Sequence, residues 1–243
     1  MQERTKYLRL PFQFDTESLI RDLSLILDGK WTAHFNTQGY TGNWKVISLY
    51  AKQGDDSNIF AFPNADSVMS ETPILKKSAY FKKVIDSFKC PILTARILRL
   101  DTGAEIKPHR DYKLGYEDGN FRLHIPITTN EDVQFILDDD KIRMLPGECW
   151  YTNVNYVHSV KNSGKTDRVH LVIDGERNDW SDQLFFSLAP KETFQAIPKE
   201  KDSPETMKRM IEELEQSHAP IATQLIEELT EKLNNLDKKT NRS

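Results

Sequence analysis

Apolar residues recur at helical spacing over 15–28 (DTESLIRDLSLILD), where Leu19, Leu23, Ile26 and Leu27 share one face and Asp15 or Thr16 stands at the N-cap position. The same spacing returns over 76–88 through Tyr80, Phe81, Val84, Ile85 and Phe88. Between them, 31–50 is aromatic-rich, is broken by Gly39 and Gly42 and ends in VISLY, which predicts a loop or short hairpin running into a strand. From Ile92 to Asp174 the pattern changes to short β runs: ILTARILRL, FRLHIPITT, VQFILDD, KIRML, GECWYTN, VHSVKN and DRVHLVID. Strong breakers separate them at Asp118-Gly119-Asn120, Asp138-Asp139-Asp140, Pro146-Gly147 and 162–165. Many short strands with turn chemistry between them predict a mainly β jelly roll with flanking helices.

Beyond about residue 190 the chain turns charged and polar. Ser203-Pro204 opens a helix with Met207, Met210, Ile211 and Leu214 on one face, and a second helix after Pro220 carries Ile221, Leu225, Leu229, Leu233 and Leu236. This predicts a C-terminal helical hairpin that packs on the barrel or on a second subunit, the latter giving a homodimer. The expected division is a jelly-roll domain with N-terminal helices over 1–190 and a helical extension over 191–243, its last residues, KKTNRS, frayed.

Composition narrows the function classes. Of 243 residues 38% are hydrophobic, enough for a real core, and 33 basic against 37 acidic residues give a net charge of −4. That is not the one-sided basic field a phosphate backbone attracts, so nucleic acid is not expected as a partner. No apolar run approaches the ~20 residues of a membrane helix, and MQERTKYLRLPFQFD carries charge where a signal peptide is apolar. A cytoplasmic protein with no membrane partner is the expectation. Cys90 and Cys149 lie far apart in no metal or redox spacing and read as thiols of a reducing compartment.

The chemistry concentrates at the ends of β runs. His109 and Asp111 are two apart, so in an extended strand both side chains point to one face and can grip one ion. With six histidines in so acidic a chain, about one His-x-Asp or His-x-Glu arises by chance, so the pair alone decides nothing. His158 lies in a later β run and Arg168 ten positions beyond it. If the 162–165 turn closes a hairpin centred near Ser163, residues 158 and 168 face each other across one ladder and Arg168 enters the same cavity. Two imidazoles and one carboxylate form the facial triad of non-haem iron(II) oxygenases, which leaves coordination positions open for a 2-oxo acid and dioxygen. An arginine one ligand length away grips the distal carboxylate bidentately.

Four segments, KPHRD at 107–111, FRLHIPI at 121–127, PGECWYTNVNYVHSVKN at 146–162 and DRVHLVID at 167–174, carry a resemblance to the aspartyl/asparaginyl β-hydroxylase family of 2-oxoglutarate oxygenases. The likeness runs from about Trp31 to Asp174 and includes the family's bacterial free-amino-acid branch, such as proline 3-hydroxylases. It implies a double-stranded β-helix (jelly roll, cupin-like), Fe(II) held by His109, Asp111 and His158, and 2-oxoglutarate held by Arg168. Family members also use the Arg and His of an RLH-type strand near the cosubstrate, which maps onto Arg122 and His124. The best-known peptide-directed relatives lack the carboxylate ligand. Asp111 therefore points to a small-molecule hydroxylase acting on an unactivated C–H of a free amino acid or similar small carboxylate, with release of succinate and CO2. A peptidyl Asp/Asn hydroxylase and a non-catalytic jelly-roll binding module are the rival readings. Among the other polar residues, His170 and Asn153 read as supporting groups, His34, Asn36 and Trp44 as residues of a substrate-contacting loop or, for Trp44, core, and His218 as part of the tail turn.

Overall fold

The structure is a computed structural model that describes residues 4–27, 31–60, 68–111, 113–196, 204–215, 223, 225–231, 233 and 234. In chain order its strands are β1 (Tyr7–Gln13), β2 (Thr32–Ala33), β3 (Tyr40–Thr41), β4 (Trp44–Lys52), β5 (Met69–Glu71), β6 (Ile92–Leu100) and β7 (Glu105–His109). They continue as β8 (Asn120–Thr128), β9 (Val133–Leu137), β10 (Asp140–Ile142), β11 (Glu148–Thr152), β12 (His158–Asn162) and β13 (Arg168–Glu176). The helices are α1 (Thr16–Ile26), α2 (Ala79–Asp86), α3 (Asp179–Phe186) and α4 (Pro204–Glu215). Two antiparallel sheets result: a larger one in the order β1-β11-β8-β13-β6-β4-β2, with β5 paired to β4, and a smaller one in the order β10-β9-β12-β7-β3. This is the mainly β jelly roll with flanking helices that the strand pattern predicts.

Both N-terminal helices lie on one face of the larger sheet because their apolar stripes need a partner. Asp15 caps α1 by accepting the Ser18 N–H at 2.8 Å, and Leu19, Leu23 and Ile26 are buried. Leu27, expected on the same face, is 47% exposed. The buried Asp22 carboxylate accepts the N–H groups of Tyr80 (2.6 Å) and Phe81 (2.9 Å), satisfying the first turn of α2, which Ser78 does not cap. The core between helices and sheet joins Leu19, Leu23, Phe81 and Ile85 to Ile97, Leu123, Ile125, Leu171 and Ile173. Asp138 and Asp139, both at positive φ, form the two-residue turn between β9 and β10.

Among the described residues β1, β5 and α3 have no counterpart in the sequence reading. β1 is an edge strand on β11 with a register break between Leu10 and Gln13, where Pro11 withholds a donor, so its pattern was obscured. α3 is capped by Asn178, which accepts the Ser181 N–H at 3.0 Å, and Phe185 stacks on the buried Tyr116 at 4.2 Å between ring centroids. The compact units are 1–196 and 197–243. The division falls beyond residue 190 because Thr193 O accepts the Thr5 N–H at 3.0 Å and Phe194 packs on Tyr116 at 5.2 Å. In the second unit α4 and the helical residues 225–231 and 233–234 share a cluster of Met207, Leu229 and Leu233, flanked by Met210, Ile211 and Leu214. Ile221, Leu236, His218 and KKTNRS lie outside the described residues.

The expected hairpin of residues 158 and 168 does not exist. β12 pairs with β7 and β9 in the smaller sheet, whereas β13 pairs with β6 and β8 in the larger. The intervening segment is a corner between sheets: Asn162 Nδ2 donates to Leu100 O (3.2 Å) and Thr166 O (2.9 Å), and Asn130 Nδ2 to Asn162 Oδ1 (3.1 Å). Side-chain amides take the places a ladder would have filled. Among the described residues no helix is long and apolar enough to cross a membrane.

Candidate functional site

Alternation along the strands of the larger sheet decides what faces the smaller one. Leu123, Ile125, Leu171 and Ile173 go out to the helices, so Arg122, His124, Arg168, His170 and Asp174 go in. On the smaller sheet His109 and His158 are direct cross-strand partners, their ring centroids 4.2 Å apart. Asp111 follows β7 and is fixed by its own N–H, which donates to Val154 O at 2.9 Å. The ligand atoms of His109, Asp111 and His158 lie within 4.8 Å of one another, close enough for one ion.

Each of the three is poised by a neighbour. Nδ1 of His109 lies 2.8 Å from Lys107 O and Nδ1 of His158 3.1 Å from Tyr156 O, contacts that only an Nδ1–H makes and that leave the Nε2 lone pairs free. Burial, then the charge of His109, pushes the His158 pKa down to about 4, so it is neutral at neutral pH. Burial alone would raise the Asp111 pKa, but Arg122 and then the two histidines outweigh it and hold the carboxyl well below its ordinary range. Arg122 donates to Asp111 Oδ2, while Oδ1 stays 3.8 Å from His109 Nε2, on the side of the triad.

Arg122 is engaged on its other edge as well, donating through Nε to Asp174 Oδ1 (2.7 Å) and through Nη2 to Oδ2 (3.2 Å). Arg96 Nη2 and Thr94 Oγ1 also donate to Asp174 Oδ2, each at 2.9 Å. Asp174 is thus a fully buried carboxylate between two guanidiniums; burial raises its pKa, and Arg122 and Arg96 more than reverse that. Arg96 and Asp174 were missed by the sequence reading. The available signal was a charged residue at an alternating position inside the apolar runs ILTARILRL and HLVID.

Arg168 is the opposite case. It is 2% exposed, Nη2 meets His170 Nδ1 at 3.1 Å, Nε has no partner, and among the described residues no carboxylate pairs with it. Burial drives its pKa down to about 9. A ring at Phe135 ties it to the triad across the sandwich: the Arg168 guanidinium lies 5.9 Å from that centroid and the His158 ring stacks on it at 6.3 Å. Shared position in one interior was expected, and it arises across the sandwich, not along a ladder. His124 stands 5.6 Å from Phe135 and 5.7 Å from His170, with both ring nitrogens buried and unpartnered. Thr152 Oγ1 is buried and unpartnered too, opposite Arg122 on β11.

On the far side of His109, Trp44 is 6.4 Å away and stacks on His34 at 3.5 Å with the planes 10° apart. Phe35 and Phe60 continue the aromatic wall outward at 5.1 Å. Asn36 turns its own loop, its Oδ1 accepting the Gly39 N–H at 3.0 Å, and Asn153 donates to Glu117, so neither joins the cluster.

The chain matches the Aspartyl/Asparaginyl beta-hydroxylase family over residues 15–178, a stretch that contains every side chain of the site. It belongs to that family. Curated relatives include the L-proline cis-4-hydroxylase of Rhizobium meliloti (strain 1021), 29% identical over 167 residues that cover 68% of this chain and 58% of the relative. An L-proline cis-3-hydroxylase 2 of Streptomyces sp is 27% identical over 139 residues, 55% and 47% of the two chains. The chain spans about half the length of the curated relatives it matches. Among solved structures, a 2OG-Fe(II) oxygenase family oxidoreductase from Burkholderia pseudomallei aligns with 71% of this chain and 86% of its own at a TM-score of 0.49 and 14% identity.

The residues of this family member fit a divalent metal and an anionic cosubstrate. Two imidazoles and an ionised carboxylate on one side of a site are a donor set for Fe(II) that leaves the other side open. A buried guanidinium that no carboxylate among the described residues neutralises suits an anion.

Proposed function

We propose that this protein is an Fe(II)- and 2-oxoglutarate-dependent hydroxylase of a free amino acid of the proline type. The observation that carries the reading is Arg168, a buried cation without a carboxylate partner among the described residues, sharing the Phe135 ring with His158 of the His109, Asp111 and His158 cluster. His109, Asp111 and His158 would hold the iron, and Arg168, with His124 beside it, the distal carboxylate of 2-oxoglutarate. When bound, these groups supply the oxidising chemistry for an unactivated C–H, with release of succinate and CO2.

The chain's own residues bind, orient and exclude water. Arg122 keeps Asp111 ionised and occupies its Oδ2, leaving Oδ1 on the side of the two histidines as the oxygen that would hold the iron. Arg122 is largely spent on two carboxylates, so the substrate carboxylate falls to Arg96, whose Nε is unpartnered and whose Nη1 has only a 3.4 Å contact to Ile59 O. The stacked pair of His34 and Trp44 forms the wall that a small ring would lie against, and burial drives the His34 pKa down to about 3, so the wall is uncharged. Among the described residues of this interior Arg96, Arg122 and Arg168 stand against Asp111 and Asp174, an excess of positive charge that suits carboxylate-bearing small molecules. A cytoplasmic setting agrees with the free thiols of Cys90 and Cys149.

Addition of Fe(II) and then 2-oxoglutarate to the protein under argon is expected to produce a weak visible charge-transfer band. In air, proline or a close analogue should accelerate succinate release more than other free amino acids. Absence of the band removes the enzyme reading and leaves a binding module. A band with no response to any free amino acid transfers the substrate to a peptide.

A further inference from the structure

Arg168 has its own approach from the surface. A cavity of about 190 Å3, several times the ~30 Å3 share of one water, runs between the β8–β9 turn and the β10–β11 connection. Arg168, His170 and Phe135 line it within, Glu131, Arg143 and Leu145 without, and no residue of the triad lines it. The outer residues are open to solvent: the Glu131 and Arg143 side chains are 88% and 69% exposed. The triad meets solvent independently, since the His109 and Asp111 side chains are 26% and 28% exposed.

We propose that this cavity is the port through which 2-oxoglutarate reaches Arg168 and succinate leaves, separate from the opening through which the amino acid reaches the triad. The inference rests on the function proposed above. Arg143 at the rim attracts a dianion, and its 3.8 Å pair with Glu131 is too long and too exposed to hold the mouth shut. Inside, the dianion meets Arg168, a cation that no carboxylate among the described residues neutralises, so the charge gradient runs inward. The Phe135 ring, with Arg168 at 5.9 Å and His158 at 6.3 Å, lies beside the path along which the 2-oxo end would reach the triad while the other carboxylate stays at Arg168. Two mouths allow the cosubstrate to exchange while the amino acid sits at the other one, so binding of one does not block the path of the other.

The test is anaerobic stopped-flow mixing of the Fe(II)-loaded protein with 2-oxoglutarate, following the visible band, with a second trace for displacement by excess succinate. Leu145→Trp, which plugs the rim, is expected to lower both association and dissociation rates about tenfold with little change in Kd, the signature of an obstructed path and not of an altered site. Arg143→Glu is expected to slow association about tenfold at low ionic strength and to converge on the wild type at high salt. Saturation with the amino acid should leave wild-type association within twofold. Unchanged rates in both variants, or strong slowing by the amino acid, would overturn the port. Failure of the wild type to bind 2-oxoglutarate at all would remove the proposed function and the port together, so the two failures are distinct. If Leu145→Trp does not fold, the salt dependence of Arg143→Glu decides.

Discussion

Along β13, Leu171 and Ile173 point to one side of the larger sheet and Arg168, His170 and Asp174 to the other; along β8, Leu123 and Ile125 oppose Arg122 and His124. The outer face is a conventional core, where each buried aliphatic side chain contributes about 1.5–3 kcal/mol and nothing needs a partner. The inner face is equally buried and holds guanidiniums, imidazoles and carboxylates, so it costs stability wherever a charge is unmatched. The same strands thus carry the fold on one side and the chemistry on the other. Within the inner face the two halves also differ: Arg96 and Arg122 share Asp174, whereas Arg168 pairs with no carboxylate among the described residues.

Acid should break the inner face first and with the largest effect. Burial lowers the pKa of His34 to about 3 and of His158 to about 4, and those of His124 and His170 well below the ordinary 6.5. Between about pH 6.5 and 4 the unfolded chain binds protons at these sites that the folded chain refuses. The full stability present above pH 6.5 is therefore lost as pH falls, by up to about 1.4 kcal/mol per pH unit for each histidine. Urea unfolding of the metal-free protein across that range checks it; a flat profile would mean that these rings are hydrated.

Asp174→Asn leaves two buried guanidiniums sharing no charge and is expected to cost about 3–5 kcal/mol by urea denaturation. The adjacent outer-face change Ile173→Ala is expected to cost about 2–4 kcal/mol from a lost contact and a cavity while leaving 2-oxoglutarate affinity intact. Coupled losses in both variants would erase the division between faces.

Arg168→Met sharpens the contrast within the inner face. It should abolish the 2-oxoglutarate band yet raise the stability of the ligand-free protein by about 1–3 kcal/mol, because a desolvated cation gives way to an apolar chain of similar length. Destabilisation instead would mean that an unseen partner already neutralises Arg168. The smallest effect is expected of Thr152→Val, within about 1 kcal/mol of the wild type, since the hydroxyl has no bond to lose.

Much of this was legible in the chain. The alternation that separates Arg122 and His124 from Phe121 and Leu123 is a local property of an extended backbone, and the turns at Gly119, Gly147 and 138–139 announce themselves by residue type. β1 and α3 were not legible, the first because Pro11 interrupts its ladder and the second because eight residues give little periodicity above the noise. The turn chemistry predicts a hairpin joining His158 to Arg168, whereas the chain changes sheets at Asn162, since turn residues do not reveal whether the strand after them returns to its neighbour or crosses a corner.

The sequence by itself determined which residue types lie on which face of each strand, because a period of two needs no tertiary information. It also determined that a His-x-Asp, a distant His and an Arg stand at strand ends. Only the tertiary structure decided which charges neutralise one another. Asp174 binds Arg96 and Arg122, and Arg122 reaches on to Asp111, so that of the three buried guanidiniums among the described residues Arg168 alone stands apart from this carboxylate network. Pairing of that kind depends on distances of a few ångströms between strands remote in the chain, and Coulomb energies in a buried interior change steeply over such distances.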